Sequence, residues 1–218
     1  MKSFFLRHLT RRAWFFPLVL VWGYFSLKQI GNIKGYDALT FIHGYELSLI
    51  IPAFLVTVSI LSSKAEIEFC RCYGFGLPRL CIAQTGPYVI YTMAAGLLLL
   101  LAFPLAEMQM SEYMIAIMYL SFFINLVAAV SLSVFLRVLT RSMFGCIGFE
   151  MIALFVISTG KGEGWNYYVE LEAYSNMLYK RYSYATFMTN RGIYLLMIAF
   201  AVIGSYLIMK SRNYTEVE

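Results

Sequence analysis

The chain has 218 residues, of which 61% are hydrophobic and only 13% charged, with a mean hydropathy of +0.70. A soluble domain carries about 25% charged residues, so this sequence cannot surround itself with a polar surface. The net charge of +5 comes from basic residues scattered between apolar runs, which excludes a phosphate-tracking stripe and with it nucleic acid as a partner.

The expected architecture is all-α: one membrane domain over residues 1–218, with about six transmembrane helices and both ends inside. Met1–Arg12 is basic and lacks a small-residue cleavage site after it. Phe5 and Leu9 are four apart, as are Arg7 and Arg11, so the segment reads as a short interfacial helix in preference to an ordinary basic flank. A crossing helix needs about 20 largely apolar residues. The runs that qualify are Ala13–Leu27, Leu47–Ser63, Ile82–Leu105, Tyr113–Leu136, Ser142–Thr159 and Gly192–Met209. The first is short, but Arg12 and Lys28 can snorkel outward, and Trp14 and Trp22 suit the interface. The fourth and fifth runs form a hairpin turning at Arg137–Arg141, because two arginines at mid-bilayer would be costly.

Orientation follows from the basic residues. With the N-terminus inside, eleven of them fall on the inner side (Lys2, Arg7, Arg11, Arg12, Lys64, Arg71, Arg79, Arg137, Arg141, Lys210, Arg212) and six on the outer side. The outer six are Lys28, Lys34, Lys161, Lys180, Arg181 and Arg191. The excess favours both termini in the cytoplasm. Cys70, Cys72 and Cys81 lie in or beside one inner segment and Cys146 in the fifth span, so no outer disulfide framework is expected. Cys70-x-Cys72 lacks zinc spacing and a nearby histidine, and the cysteines read as reduced and structural.

Chemistry is sparse. His8 lies in the basic flank and His43 in an outer loop beside Glu46, and neither a Gly-x-Ser-x-Gly nor a His-Glu-x-x-His pattern occurs. Catalytic residues and metal ligands are therefore not expected. Gly160-Lys161-Gly162 is not a phosphate loop, since position 155 is Phe and no Ser or Thr follows the lysine. Glu150 stands alone in the fifth span, where ionisable groups are rare. A structural acid hydrogen-bonded to Asn125 or a tyrosine is the favoured reading, and a substrate- or proton-contacting group is the alternative.

The segment Lys64–Gln84 follows the second span on the inner side. Glu66, Glu68 and Arg71 can share a short helix with Phe69 and Tyr73, with Gly74 and Gly76 ending it and Pro78 opening the next. A charged and aromatic helix suits docking into another protein, whereas a mere turn would need only a few residues. Near the other end, Trp165, Tyr167, Tyr168, Tyr174 and Tyr179 are interleaved with Glu170, Glu172, Lys180 and Arg181. That pattern reads as interfacial or re-entrant helices capping the bundle, which could also serve as a gate or a surface for an amphipathic substrate, with Asn125, Glu150, Trp165 and Tyr168 as pathway candidates.

Six spans, a basic interfacial N-terminus, and the order Glu68, Gly74, Pro78, Arg79 before the third span resemble the permease subunit of ABC-2-type (type V) ABC transporters. The long outer segment Gly160–Arg191 matches that family too. The resemblance implies that Glu66, Glu68, Arg71, Gly74, Pro78 and Arg79 form a coupling helix to a separate ATPase subunit, which would hold ATP and Mg while this chain holds no cofactor. It also implies a homodimer or a heterodimer with a second permease acting as an exporter; the apolar, aromatic lining suits an amphipathic peptide, lipid or drug as cargo, and the expected location is a multi-pass one in a bacterial cytoplasmic membrane. The alternative is the substrate-binding membrane subunit of an energy-coupling-factor importer, disfavoured because Ala13–Leu27 has no second alanine for Ala-x-x-x-Ala packing. An intramembrane enzyme ranks last for want of a catalytic constellation, and an assembly protein is the remaining class.

Overall fold

The structure, a computed structural model, describes residues 2–35, 37–57, 60, 76–103, 110–159 and 168–211. Among these, every regular element is an α-helix. In chain order they are α1 (Lys2–Arg11), α2 (Phe15–Lys34), α3 (Ala38–Ser48), α4 (Ile50–Thr57), α5 (Leu77–Ala102), α6 (Glu112–Thr140), α7 (Met143–Thr159), α8 (Ala173–Leu178) and α9 (Tyr184–Ser211).

Three of them, Leu77–Ala102, Glu112–Thr140 and Tyr184–Lys210, are long and apolar enough to cross a membrane; Ala38–Ala53 and Met143–Ala153 are shorter apolar stretches. Their outward faces match a lipid environment. On α9, Leu196 is 71% and Phe200 66% exposed, with Val202, Ile203 and Leu207 beside them. Such a continuous apolar surface marks a membrane or partner contact. Hydrocarbon tolerates it because each helix satisfies its own backbone internally.

The short helix expected at the N-terminus forms and is tied down. Tyr91 Oη donates to Leu9 O at 2.7 Å, and Phe5 packs beside Gly86. Arg12 stacks over the Tyr88 ring at 5.1 Å and donates to Gln84 O at 3.0 Å. That carbonyl neighbours Ala83 O, whose helical donor is missing because position 87 inside α5 is proline.

The first expected span ends too early. It runs on to Lys34 and stops at Gly35, whose φ of 91° only glycine adopts without strain. Lys28, Gln29 and Asn32 did not end it, because the chain doubles back there and α3 packs against α2. The second expected span begins nine residues too late for the same reason. Asp37 caps α3 through Thr40 N at 2.6 Å, so residues read as an outer loop are helical and buried. The helix breaks at Leu49 because Pro52 cannot donate to Ser48 O; the Trp22 indole does so at 2.8 Å. Trp22 therefore acts as a backbone partner here, beyond the interfacial anchoring read from the sequence.

The third helix begins at Leu77 with Pro78 in its first turn, as expected, five residues before the anticipated span. The hairpin at Arg137–Arg141 is present. α6 ends on Arg141 in the left-handed region at φ 56°, and Ser142 caps α7 by accepting from Gly145 N at 3.2 Å. Arg137 stays in the last turn, buried, with Nε donating to Ile60 O at 3.3 Å. The last helix begins eight residues earlier than the expected Gly192, where Ser183 accepts from Thr186 N at 3.1 Å. Arg191, assigned to an outer flank, is consequently inside a helix.

Contacts fix the helix directions. Phe15 meets Tyr88 at 5.0 Å between ring centroids and Tyr24 meets Phe103 at 6.1 Å, so α2 and α5 run parallel. Tyr119 Oη reaches Met93 O at 2.7 Å while the later part of α6 lies beside the start of α5, so those two are antiparallel. Cys81 near the start of α5 touches Met209 near the end of α9, with 3.8 Å between sulfurs. One end of the bundle thus gathers α1, Ile60, the start of α5, the α6–α7 turn and the end of α9. The opposite end gathers the α2–α3 turn, the starts of α6 and α9, and α8.

Candidate functional site

The polar centre of the molecule lies toward that opposite end, where α3, α6, α8 and α9 meet. Nearly every side chain of α3 from Thr40 to Ser48 is buried, Glu46 fully so. On α6, Ser121 and Asn125 are one turn apart on the inward face. On α9, Phe187, Asn190, Arg191 and Tyr194 form an inward stripe at helical spacing.

Arg191 joins these helices. Its Nη2 lies 3.4 Å from Glu46 Oε1 and 3.3 Å from Leu171 O, and its Nη1 donates to Asn125 Oδ1. The guanidinium also faces the rings of Phe187 at 5.4 Å and Tyr194 at 5.5 Å. Glu46 accepts from Ser121 Oγ at 3.2 Å and, on its other oxygen, from Ser175 N at 3.2 Å. Two opposite charges removed from solvent are tolerated when paired and hydrogen-bonded; here both Glu46 oxygens and both Arg191 Nη atoms are engaged, while Arg191 Nε is buried without a hydrogen bond.

The segment 168–183 is fastened to this knot. Leu171 O also accepts from Asn125 Nδ2 at 2.9 Å, and Val169 O accepts from Tyr194 Oη at 2.8 Å. Glu170 takes Asn176 Nδ2 at 2.8 Å and the Tyr182 hydroxyl on one carboxylate oxygen, and its backbone carbonyl takes Asn190 Nδ2 at 3.1 Å. Glu172 lies 3.0 Å from His43 Nδ1, on the first turns of α3. Tyr174 Oη donates to Met114 O at 3.1 Å; burial first, then the charges of Glu46 and Tyr113, push its phenol up to about 12, which keeps it a neutral donor. The segment is therefore a latch bonded to α3, α6 and α9 at once. The sequence reads Gly160–Arg191 as interfacial or re-entrant helices; over 168–183 the structure has the short helix α8 within this bonded segment.

Of the pathway candidates, Asn125 is part of this knot. Glu150 is buried elsewhere: its Oε1 lies 3.5 Å from Cys146 Sγ, which also lies 3.6 Å from Ser133 O. Its anticipated partner Asn125 is engaged by Arg191 instead. Tyr168 is 40% exposed at the edge of the latch, and Trp165 lies outside the described residues. Of the coupling candidates, Pro78 and Arg79 open α5, Arg79 exposed, while Glu66, Glu68, Arg71 and Gly74 lie outside the described residues, as does Cys70-x-Cys72. Among the described residues, no group of three or more His, Cys, Asp or Glu is placed to hold a metal ion.

Sequence reasoning passed over Glu46, Arg191, Ser121 and Glu170. The available signal was spacing: Ser121 and Asn125 stand one turn apart in an apolar run, and Asn190-Arg191 follows an aromatic stretch that continues into the last apolar run. No protein-family model, curated protein or solved structure matches the chain.

Proposed function

We propose that this chain is the membrane-spanning subunit of an ATP-driven exporter of the ABC-2 type, working with a separate ATPase that supplies ATP and Mg and with a second permease copy or homologue. In this reading α2, α3–α4, α5, α6, α7 and α9 make six crossings, and the end holding α1 faces the cytoplasm. The cargo is an amphipathic peptide, lipid or drug.

The observation that carries the reading is the contrast between the two ends of the bundle. One end bears Arg7, Arg11, Arg12, Arg79, Arg141 and Lys210, with Ile60 and Pro78 at the same end. The other end carries a latch held by a buried ion pair. Alternating access requires contacts that break and re-form when a helix is pushed elsewhere, and the ion-paired segment 168–183 supplies contacts of that kind to α3, α6 and α9. Closure of the ATPases would bear on Glu66, Glu68, Arg71 and Gly74 and, through Pro78 and Arg79, on α5. Glu46 of α3, Asn125 of α6 and Arg191 of α9 would register the resulting movement at the latch.

Isolation of the chain from its native membrane tests the proposal. A subunit with Walker-type nucleotide-binding motifs is expected to co-purify, and Glu68→Lys is expected to abolish that association while the chain itself remains in the membrane. Purification without any ATPase, or an association indifferent to Glu68→Lys, refutes the exporter reading and its coupling segment respectively.

A further inference from the structure

At the basic end, α5, α6 and α9 leave a groove of ≈ 470 Å³ between them, walled by side chains such as Val89, Val130 and Ile203. It opens on the outer surface, where Ile82 is 62%, Val202 55% and Ile203 58% exposed. Three hydroxyls lie in its wall, and each is turned back on its own helix. Thr85 Oγ1 donates to Cys81 O at 2.8 Å, Ser205 Oγ to Ala201 O at 2.6 Å, and Ser131 Oγ to Val127 O. Such back-bonding withdraws the polar atoms from anything entering the groove. Tyr206, half exposed, is the remaining hydroxyl bearer. The lining therefore offers a ligand dispersion contacts and apolar burial but almost no hydrogen bonds.

The rim is different. The lining residues Pro78 and Met209 are each followed by a cation, Arg79 and Lys210, and both cations are exposed. The Cys81–Met209 contact holds these two chain segments together. Tyr206 stands one turn before Lys210, the arrangement of an interfacial aromatic beside a snorkelling cation. An apolar slot ending in two cations at a membrane surface matches one molecule chemically: a phospholipid with net negative charge.

The geometry points to a binding site for an anionic phospholipid, one acyl chain lying in the α5–α6–α9 groove and the headgroup phosphate between Arg79 and Lys210. Each buried methylene adds to affinity without regard to headgroup. The two cations supply the preference for negative charge, as basic pockets between transmembrane helices do. The site shares Pro78 and Arg79 with the proposed coupling segment, but lipid binding there needs no ATPase and is tested on the isolated chain.

The test uses the full chain in phosphatidylcholine nanodiscs containing a trace of phospholipid with a diazirine on its acyl chain, either phosphatidylglycerol or phosphatidylcholine. After irradiation, labelled peptides are mapped by mass spectrometry. Each basic residue at an anionic headgroup contributes about fivefold in affinity, so the phosphatidylglycerol probe is expected to label the 82–89 and 202–209 peptides roughly 30-fold more strongly. The R79Q/K210Q double variant, altered only at exposed positions, is expected to bring the two probes level. Ser131→Phe, which fills the groove, is expected to abolish the phosphatidylglycerol preference and leave only the equal labelling that surrounding lipid gives the outward faces. Equal labelling by the two probes in the unaltered chain overturns the site, as does a preference that survives R79Q/K210Q. A second copy of this chain seated in the groove, seen as covalent dimers of Val202→Cys with no lipid label, overturns it too.

Discussion

Replacing Arg191 by methionine probes the latch most directly. The change keeps a long apolar stem and removes one guanidinium, which serves Glu46, Asn125 and the Leu171 carbonyl together. Leu171 O retains Asn125 Nδ2, and Glu46 retains Ser121 and Ser175 N, while Asn125 Oδ1 loses the guanidinium donor. What remains is a fully buried carboxylate without its counter-charge. Breaking a buried pair from one side costs about 3–5 kcal/mol, and the surviving hydrogen bonds place Arg191→Met near about 3 kcal/mol. Glu46→Gln keeps an acceptor for Ser121 but turns an amide NH2 toward the Ser175 N–H and leaves the buried Arg191 cation without its counter-charge, so a similar loss of about 3 kcal/mol is expected. The double variant leaves no buried charge and is expected to cost about 3 kcal/mol rather than the sum of about 6, a coupling of about 3 kcal/mol. Equilibrium unfolding in mixed detergent–dodecyl sulfate micelles measures all four corners of the cycle. Amide exchange over residues 168–178 should accelerate selectively in Arg191→Met. A loss under about 0.5 kcal/mol, or strict additivity, would refute the ion pair as the latch's fastening.

Three further outcomes follow from local geometry. Asp37→Ala removes the cap on Thr40 N and is expected to cost about 1 kcal/mol, with exchange rising in the first turn of α3. Gly96→Ala would drive a methyl carbon into the hydroxyl of the fully buried Tyr45; that ring has little room to yield, and a loss of about 1–3 kcal/mol is expected in the same unfolding assay. In intact cells, Cys70 and Cys72 are expected to react with a membrane-permeant maleimide and to resist an impermeant one, whereas labelling by the impermeant reagent would invert the proposed orientation.

Much of the helical plan was legible because hydrocarbon imposes a simple rule on sequence. Long apolar runs must be helices, and the pair of arginines between the fourth and fifth runs had to sit at a turn; Arg141 does so, in the left-handed conformation that ends α6. Pro78 at the start of α5 and the amphipathic start of the chain were readable for similarly local reasons. Helix limits that depend on a neighbour were not. Lys28 through Lys34 look like a boundary, yet the helix continues because α3 packs alongside it. The break at Pro52 is stabilised by Trp22, 26 residues upstream of the carbonyl it serves.

The site shows the same division more sharply. Composition determined that this chain has an apolar exterior, and an ionisable group inside an apolar run flagged Glu150, with Asn125 as a candidate partner. Which partner each found was a tertiary decision. Glu46 and Arg191 stand 145 positions apart, each at the polar margin of an apolar run, where a charge normally reads as a solvated flank. Only the packing of α3, α6 and α9 carries both margins inward, and once there desolvation makes each charge the other's necessary partner.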